Sequence, residues 1–176
     1  MSKVILFTGG SRSGKSRHAL EVAANYNKKA FIATAEPLDG EMQDRISRHQ
    51  EERGNDFITI EESIDLAGAV KGIPEGIDVA IIDCLTVWTG NLIYKFGDDR
   101  DWYEQIDEFL EVLVNPPCDL LIVTNEVGMG IIPANKMSRL FRDVAGALNQ
   151  KVAALADKVI FAVSGIPMVI KEGKEK

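Results

Sequence analysis

The run Gly9-Gly10-Ser11-Arg12-Ser13-Gly14-Lys15-Ser16 satisfies G-x-x-x-x-G-K-[ST] at every fixed position and lies between an apolar run, Val4 to Thr8, and an amphipathic one, Gly14 to Asn25. A glycine-rich turn in that setting leaves little choice of fold. A buried strand must deliver the loop, and a helix must leave it with its positive end turned toward an anion. Glycines let successive backbone N–H groups face inward as an anion nest. Lys15 supplies a point charge for the β- and γ-phosphates of a nucleoside triphosphate, and the Ser16 hydroxyl is a ligand for Mg²⁺.

The rest of the chain follows the pattern that such a loop demands. Val4 to Thr8, Ala30 to Thr34, Val79 to Asp83, Leu120 to Thr124 and Val159 to Val163 are short runs, aliphatic or β-branched on both faces, as in a parallel sheet covered on both sides. Phe57 to Glu61 alternates as a further short or edge strand. Helices are expected at Gly14 to Asn25, Glu41 to Arg53, Leu66 to Val70, Leu85 to Lys95, Asp101 to Val114 and Met137 to Leu155. The alternation predicts an α/β fold of three layers, with a mostly parallel central sheet flanked by helices. Gly97 to Arg100 reads as a solvated turn, whereas Gly128 to Asn135 is Gly- and Pro-rich yet apolar.

With 176 residues, 45% of them hydrophobic, the chain can bury one core without disulfides or metals, and a single domain over 1–176 is expected. Its tail, 171–176 (KEGKEK), is expected to be disordered. Lys and Arg number 20 against 27 Asp and Glu, net −7, with no basic stripe, which argues against a nucleic-acid partner. Cys84 and Cys118 form no C-x-x-C pair and read as small buried residues. MSKVILFTGG runs directly into the glycine loop, leaving no room for a secretory h-region, and no apolar run approaches the ~18 residues of a membrane span. A cytoplasmic protein is expected.

Asp83 ends the run Val79-Ala80-Ile81-Ile82-Asp83, where an acid can bind magnesium directly or through water. The same position also suits a cap for the helix at Leu85, and both roles are compatible. Of the two histidines, His18 reads as a partly exposed helical residue without chemistry. His49 stands in a nearly all-polar helix that buries little. Arg45, His49 and Arg53 recur every four residues and share one face. Two guanidinium groups beside an imidazole form an anion-facing stripe and favour an unprotonated, nucleophilic ring nitrogen. A phosphate held there is open to attack by that nitrogen. A solvated charged face has the same spacing, and the residues alone leave both readings open.

TGGSRSGKSRHA (Thr8 to Ala19), IATAEPLDGEM (Ile32 to Met42), RISRHQEER (Arg45 to Arg53), DCLTVWTGNL (Asp83 to Leu92), TNEVGMGIIPAN (Thr124 to Asn135) and FRDVAGALNQKVAALAD (Phe141 to Asp157) together resemble the bifunctional adenosylcobinamide kinase/adenosylcobinamide-phosphate guanylyltransferase family. The likeness runs from about Val4 to Lys171. The phosphate loop is shared by many enzymes, whereas its combination with R-I-x-x-H-x-x-x-R and N-E-V-G-x-G-I-[IV]-P is specific.

The resemblance implies a RecA-like P-loop fold and two reactions. A nucleoside triphosphate, ATP or GTP, phosphorylates the aminopropanol hydroxyl of adenosylcobinamide. GMP then passes from GTP, through a histidine that is His49 here, to the new phosphate, giving adenosyl-GDP-cobinamide and pyrophosphate. Lys15 and Mg²⁺ would offset charge on the phosphates. The nucleotide contacts that the resemblance implies are Gly9, Gly10, Ser11, Arg12, Ser13, Gly14, Lys15, Ser16, Thr34, Ala35, Glu36, Gln50, Glu51, Glu52, Arg53, Glu61 and Asp83, with Ser16 and Asp83 toward the metal. It also implies a homotrimer with the corrinoid near a subunit boundary. Two positions depart from the family pattern: Phe57 replaces a frequent Trp, and Pro133-Ala134-Asn135 replaces P-E-N, removing a carboxylate from a substrate loop.

Two other activities are compatible with the phosphate loop. A P-loop small-molecule kinase without covalent guanylylation needs only Lys15, Ser16 and Asp83 and leaves His49 unexplained. A nonenzymatic GTP-dependent switch or assembly ATPase expects an N-K-x-D guanine signature, and Asn135-Lys136-Met137-Ser138 lacks the acid.

Overall fold

A computed structural model of the protein describes residues 2–36 and 56–173. Seven strands form one sheet among these residues: β1 (Val4–Gly9), β2 (Lys29–Ala33), β3 (Phe57–Glu61), β4 (Val79–Asp83), β5 (Asp119–Val123), β6 (Lys158–Val163) and β7 (Ile166–Glu172). The described helices are α1 (Lys15–Ala23), α2 (Leu66–Lys71), α3 (Leu85–Phe96), α4 (Glu104–Val114) and α5 (Lys136–Leu155), with a 3-10 turn at Val127–Met129. Strand order is β3-β2-β4-β5-β1-β6-β7. Every neighbouring pair is parallel except β6 and β7, which form an antiparallel hairpin.

The central parallel strands bury both faces, and their side chains alternate between two apolar layers. Ala80 and Ile82 of β4 join Leu120 and Ile122 of β5 in one layer, under Leu66, Trp88, Phe109, Leu148 and Val152 from α2, α3, α4 and α5. Val79 and Ile81 turn the other way, with Leu121, Val123 and Phe7, onto Ala19 and Ala23 of α1. The period-2 geometry of a strand makes this the only way for consecutive aliphatic residues to be used fully. Trp88 and Phe109 meet edge-on at 5.3 Å, and the indole N–H donates to the Ile64 carbonyl at 2.8 Å. No described helix is long and apolar enough to cross a membrane.

Phe57–Glu61 is an edge strand, pairing only with β2. As far as Glu172 the carboxyl-terminal segment is a strand and not a disordered tail. Lys171 and Glu172, assigned to a disordered tail, belong to β7 opposite Val159 and Lys158. The Lys171 ammonium donates to the Ala153 and Ala154 carbonyls, both at 2.8 Å, at the end of α5, where a helix gathers unpaired carbonyls and negative potential. Lys158 and Glu172 form an ion pair at 2.9 Å. Pro167 lies in this strand, and an edge strand tolerates its missing N–H.

The expected helix at Glu41 to Arg53 falls outside the described residues. So do His49, Arg45, Gln50, Glu51, Glu52 and Arg53.

Candidate active site

Parallel strands put their carboxyl ends on one edge, and the loop from Gly9 to Ser16 leaves β1 there to enter α1. Two glycines in it answer different steric demands. Gly9 has φ +145°, and a Cβ there would stand 2.3 Å from the Ala162 carbonyl oxygen of β6. Gly14 sits at φ +94° and its carbonyl accepts the His18 N–H at 3.0 Å, opening α1 in a left-handed conformation that favours glycine. Arg12 also has positive φ, at 55°.

Lys15 folds back across the loop. Its Nζ donates to the Gly10 carbonyl at 2.6 Å and lies 3.4 Å from Ser13 Oγ. Burial pushes its pKa below the usual lysine value, opposed by the negative charge of Asp83. That electrostatic coupling links Asp83, at the end of β4, with the phosphate-loop lysine. β4 lies two strands from β1, on the order of 10 Å across the sheet. The N-cap position of α3 is held by Cys84, whose Sγ accepts from Val87 N at 3.5 Å, so the capping role considered for Asp83 goes to its neighbour. Burial, with Asp83 adding to it, pushes the Cys84 thiol up to about 12, which leaves it an inert, protonated group.

Of the remaining expected contacts, Thr34, Ala35, Glu36 and Glu61 are described, at or just beyond the carboxyl ends of β2 and β3. Thr34, at the end of β2, is fully buried; its hydroxyl donates to Cys84 O at 2.9 Å and accepts from Cys84 N at 2.8 Å. Its carbonyl accepts from Asn91 at 2.7 Å, so its side chain fixes the β2–β4 junction. Ala35 and Glu36 are half-buried, and Glu36 accepts from Ser63 Oγ. Glu61 is exposed at the end of β3, four strands from β1 and therefore roughly 19 Å from it. A single nucleotide reaching both ends of this row must lie along the edge.

Hard oxygen donors suit Mg²⁺, which binds through one or two carboxylates plus substrate phosphates rather than in an all-protein cage. The Ser16 hydroxyl on the loop and the Asp83 carboxylate, within electrostatic reach of Lys15, fit that requirement. Among the described residues no group of three or more His, Cys, Asp or Glu forms a metal cluster by itself.

A polar network that local sequence does not reveal lies beside the loop. The Thr8 hydroxyl donates to the Glu126 carboxylate, and Glu126 N donates to Gly9 O at 3.0 Å. Asn149 of α5 accepts from Thr124 Oγ1 at 2.7 Å, and donates to Asn125 O at 3.0 Å and to Glu126 Oε1 at 3.3 Å. Thr86 Oγ1 accepts from Asn125 N at 2.7 Å. The available signal was Thr124-Asn125-Glu126 directly after a buried strand, with an asparagine on the apolar face of α5. His18 also departs from expectation: it is buried, because the β6–β7 turn covers it. Two clefts among the described residues lie away from the loop. One, of about 380 Å³, is lined by charged residues including Asp98, Lys136, Arg139 and Asp143. The other, of about 270 Å³, lies between Gly90, Ile93 and Tyr94 of α3 and Met137 and Phe141 of α5.

The profile of the cobinamide kinase / cobinamide phosphate guanyltransferase family matches residues 5–170. The chain is 37% identical to the bifunctional adenosylcobalamin biosynthesis protein CobU of Escherichia coli (strain K12), over 96% of this chain and 99% of that protein. It is 38% identical to CobU of Salmonella typhimurium, with 96% and 99% covered, and 38% identical to CobP of Pseudomonas aeruginosa, with 94% and 96% covered. Among solved structures, an ATPase from the type III secretion system of pathogenic bacteria superposes with TM-score 0.52 at 11% identity, covering 90% of this chain and 50% of that one. A Pyrococcus horikoshii OT3 protein gives 0.54 at 8% identity, covering 98% and 88%. Identities this low show likeness of fold alone, and the ATPase agrees with the three-layer P-loop architecture.

Proposed function

The chain belongs to the cobinamide kinase / cobinamide phosphate guanyltransferase family, and from that premise we propose that it phosphorylates adenosylcobinamide and then guanylylates the product through His49. The observation that carries this reading is the complete phosphate loop on β1, with Lys15 drawn across it and Asp83 two strands away on the same edge. Its substrates are ATP or GTP for the first step and GTP for the second.

In the kinase step the backbone N–H groups from Gly10 to Ser16 hold the triphosphate, and Lys15 stabilises charge on the β- and γ-phosphates. The substrate hydroxyl attacks the γ-phosphorus, nucleoside diphosphate leaves, and the hydroxyl proton passes to solvent or a nearby base. In the second step an unprotonated nitrogen of His49 attacks the α-phosphorus of GTP; the bond to the bridging oxygen breaks and pyrophosphate leaves. The phosphate of adenosylcobinamide phosphate then attacks the phosphoramidate, restoring free His49 and forming the diphosphate bond. Covalent storage divides one difficult transfer into two easier ones. Ser16 and Asp83 would hold Mg²⁺, which when bound neutralises phosphate charge as the leaving group departs.

The proposed assembly is a homotrimer of single-domain subunits. Met129, Ile131 and Ile132, all strongly exposed in the loop before α5, support burial of that loop against a neighbour or a large apolar ligand.

The test is covalent labelling. Protein mixed with α-labelled GTP and Mg²⁺ should retain label through alkaline denaturation and lose it in mild acid, as a phosphoramidate does. His49→Asn should abolish labelling and guanylyl transfer while kinase activity survives. Absence of label in the wild-type protein, with kinase activity present, favours the simple kinase.

A further inference from the structure

The phosphate loop is seated on a turn from the far end of the chain. In the β6–β7 hairpin, Gly165 N donates to Ser13 O at 3.0 Å, and the Gly165 carbonyl accepts from Arg17 Nη2 at 3.2 Å and His18 Nε2 at 3.0 Å. The other ring nitrogen of His18, Nδ1, lies 2.9 Å from Glu21 Oε2. Contact is close as well as polar: a Cβ on Gly14 would stand 3.3 Å from Gly165 Cα.

Peptide planarity gives this contact a consequence at the anion nest. Within the Ser13–Gly14 peptide the C=O and N–H point in opposite directions. A Ser13 carbonyl anchored on Gly165 therefore fixes where the Gly14 N–H points. The turn itself is held by its own carbonyl, through Arg17 and His18. Arg17 is largely exposed, so the buried His18 carries the better-protected bond. Both partners of its ring are acceptors, a carbonyl and a carboxylate, so the two bonds form together only when both ring nitrogens carry hydrogen. Glu21 orients the ring as the second group of a relay from α1 to the hairpin.

We propose that His18 is a positioning residue of the nucleotide site, holding the Gly165 turn so that the Ser13–Gly14 backbone keeps its anion-binding orientation. This rests on the reading that the loop from Gly9 to Ser16 binds nucleotide. His18 touches no phosphate itself; its effect passes through Gly165 and Ser13.

Two amide substitutions separate the ring's two bonds. The side-chain amide nitrogen introduced by His18→Gln can stand near the former Nε2 and reach Gly165, whereas the amide introduced by His18→Asn is near the former Nδ1 and reaches only Glu21. Binding of α,β-methylene-GTP with Mg²⁺, followed by calorimetry, reads the site without guanylyl transfer. His18→Gln should bind within about two- to threefold of wild type, and His18→Asn about tenfold more weakly, the scale of one lost hydrogen bond of this type. In turnover assays His18→Asn should raise the nucleotide KM with a smaller change in kcat. Equal affinities for the two variants overturn the proposal, as does a His18→Gln protein that fails to fold or to bind. Lys15→Ala is the separate control: if it binds the analogue like wild type, the nucleotide reading of the loop fails and the proposal with it, whereas weak binding by Lys15→Ala together with equal affinities for the two His18 variants overturns the role of His18 alone.

Discussion

A methyl group on Gly9 would stand 2.3 Å from the carbonyl oxygen of Ala162. Backbone against backbone leaves nothing flexible to give way, and the φ of +145° is itself unfavourable for other residues. Gly9→Ala should therefore cost roughly 1–3 kcal/mol in folding stability. Gly10, with nothing within 4 Å of its Cβ position and no positive φ, is the contrast, and Gly10→Ala should change stability by less than about 0.5 kcal/mol. Urea denaturation of the two nucleotide-free variants makes the comparison.

Lys15→Ala should lower both the kinase and guanylyl-transfer rates by on the order of 10²-fold or more, as for loss of a preorganised charge. The pH dependence carries a sign. Burial lowers the Lys15 pKa, so the ammonium loses its proton at lower pH than an ordinary lysine. As pH rises, kcat/KM, which reports the free enzyme, should fall before pH reaches the usual lysine range. Lys15→Arg keeps its charge there and should lack this limb of the profile.

Asp83→Asn should raise the Mg²⁺ concentration for half-maximal rate, with the fold unchanged because α3 keeps its Cys84 cap. A metal titration identical to wild type would remove Asp83 from the metal site.

Arg45→Ala and Arg53→Ala should each weaken GMP labelling of the protein without eliminating it, since each supplies part of the positive field around the α-phosphate. The measure is initial labelling rate from α-labelled GTP. Complete loss in either variant would make that arginine indispensable rather than one of two.

Asn149→Leu keeps approximate volume but leaves Thr124 Oγ1, Asn125 O and part of the Glu126 carboxylate without their partner. The expected cost is roughly 1–3 kcal/mol, read as a lower denaturation midpoint.

The layered fold was legible because each central strand carries aliphatic residues in unbroken runs, as at Val79 to Ile82, and because the phosphate loop marks a strand-to-helix junction. β7 was missed for the opposite reason. Its sequence, IPMVIKE, has a proline and charged residues at its end, and what makes it a strand is the tertiary partner β6, together with the Lys171 bonds to the end of α5. His18 misled similarly: α1 alone exposes that position, and only the hairpin turn covers it. Local sequence showed Thr34, Asp83 and Glu61 at strand ends but not the strand order, which sets Glu61 at the far end of the row from β1. The Glu126 network was hidden because its members come from β1, the segment after β5, α3 and α5 and acquire meaning only when juxtaposed.

The contact between His18 and Gly165 joins positions 147 residues apart. A chain emerging from the ribosome produces the phosphate loop well before the turn that seats it. Until β6 lies against β1, Gly9 has no Ala162 beside it and Ser13 has no Gly165 to anchor its carbonyl. If the turn orients the loop as proposed, a growing chain carries the motif long before it can hold a triphosphate in the native way.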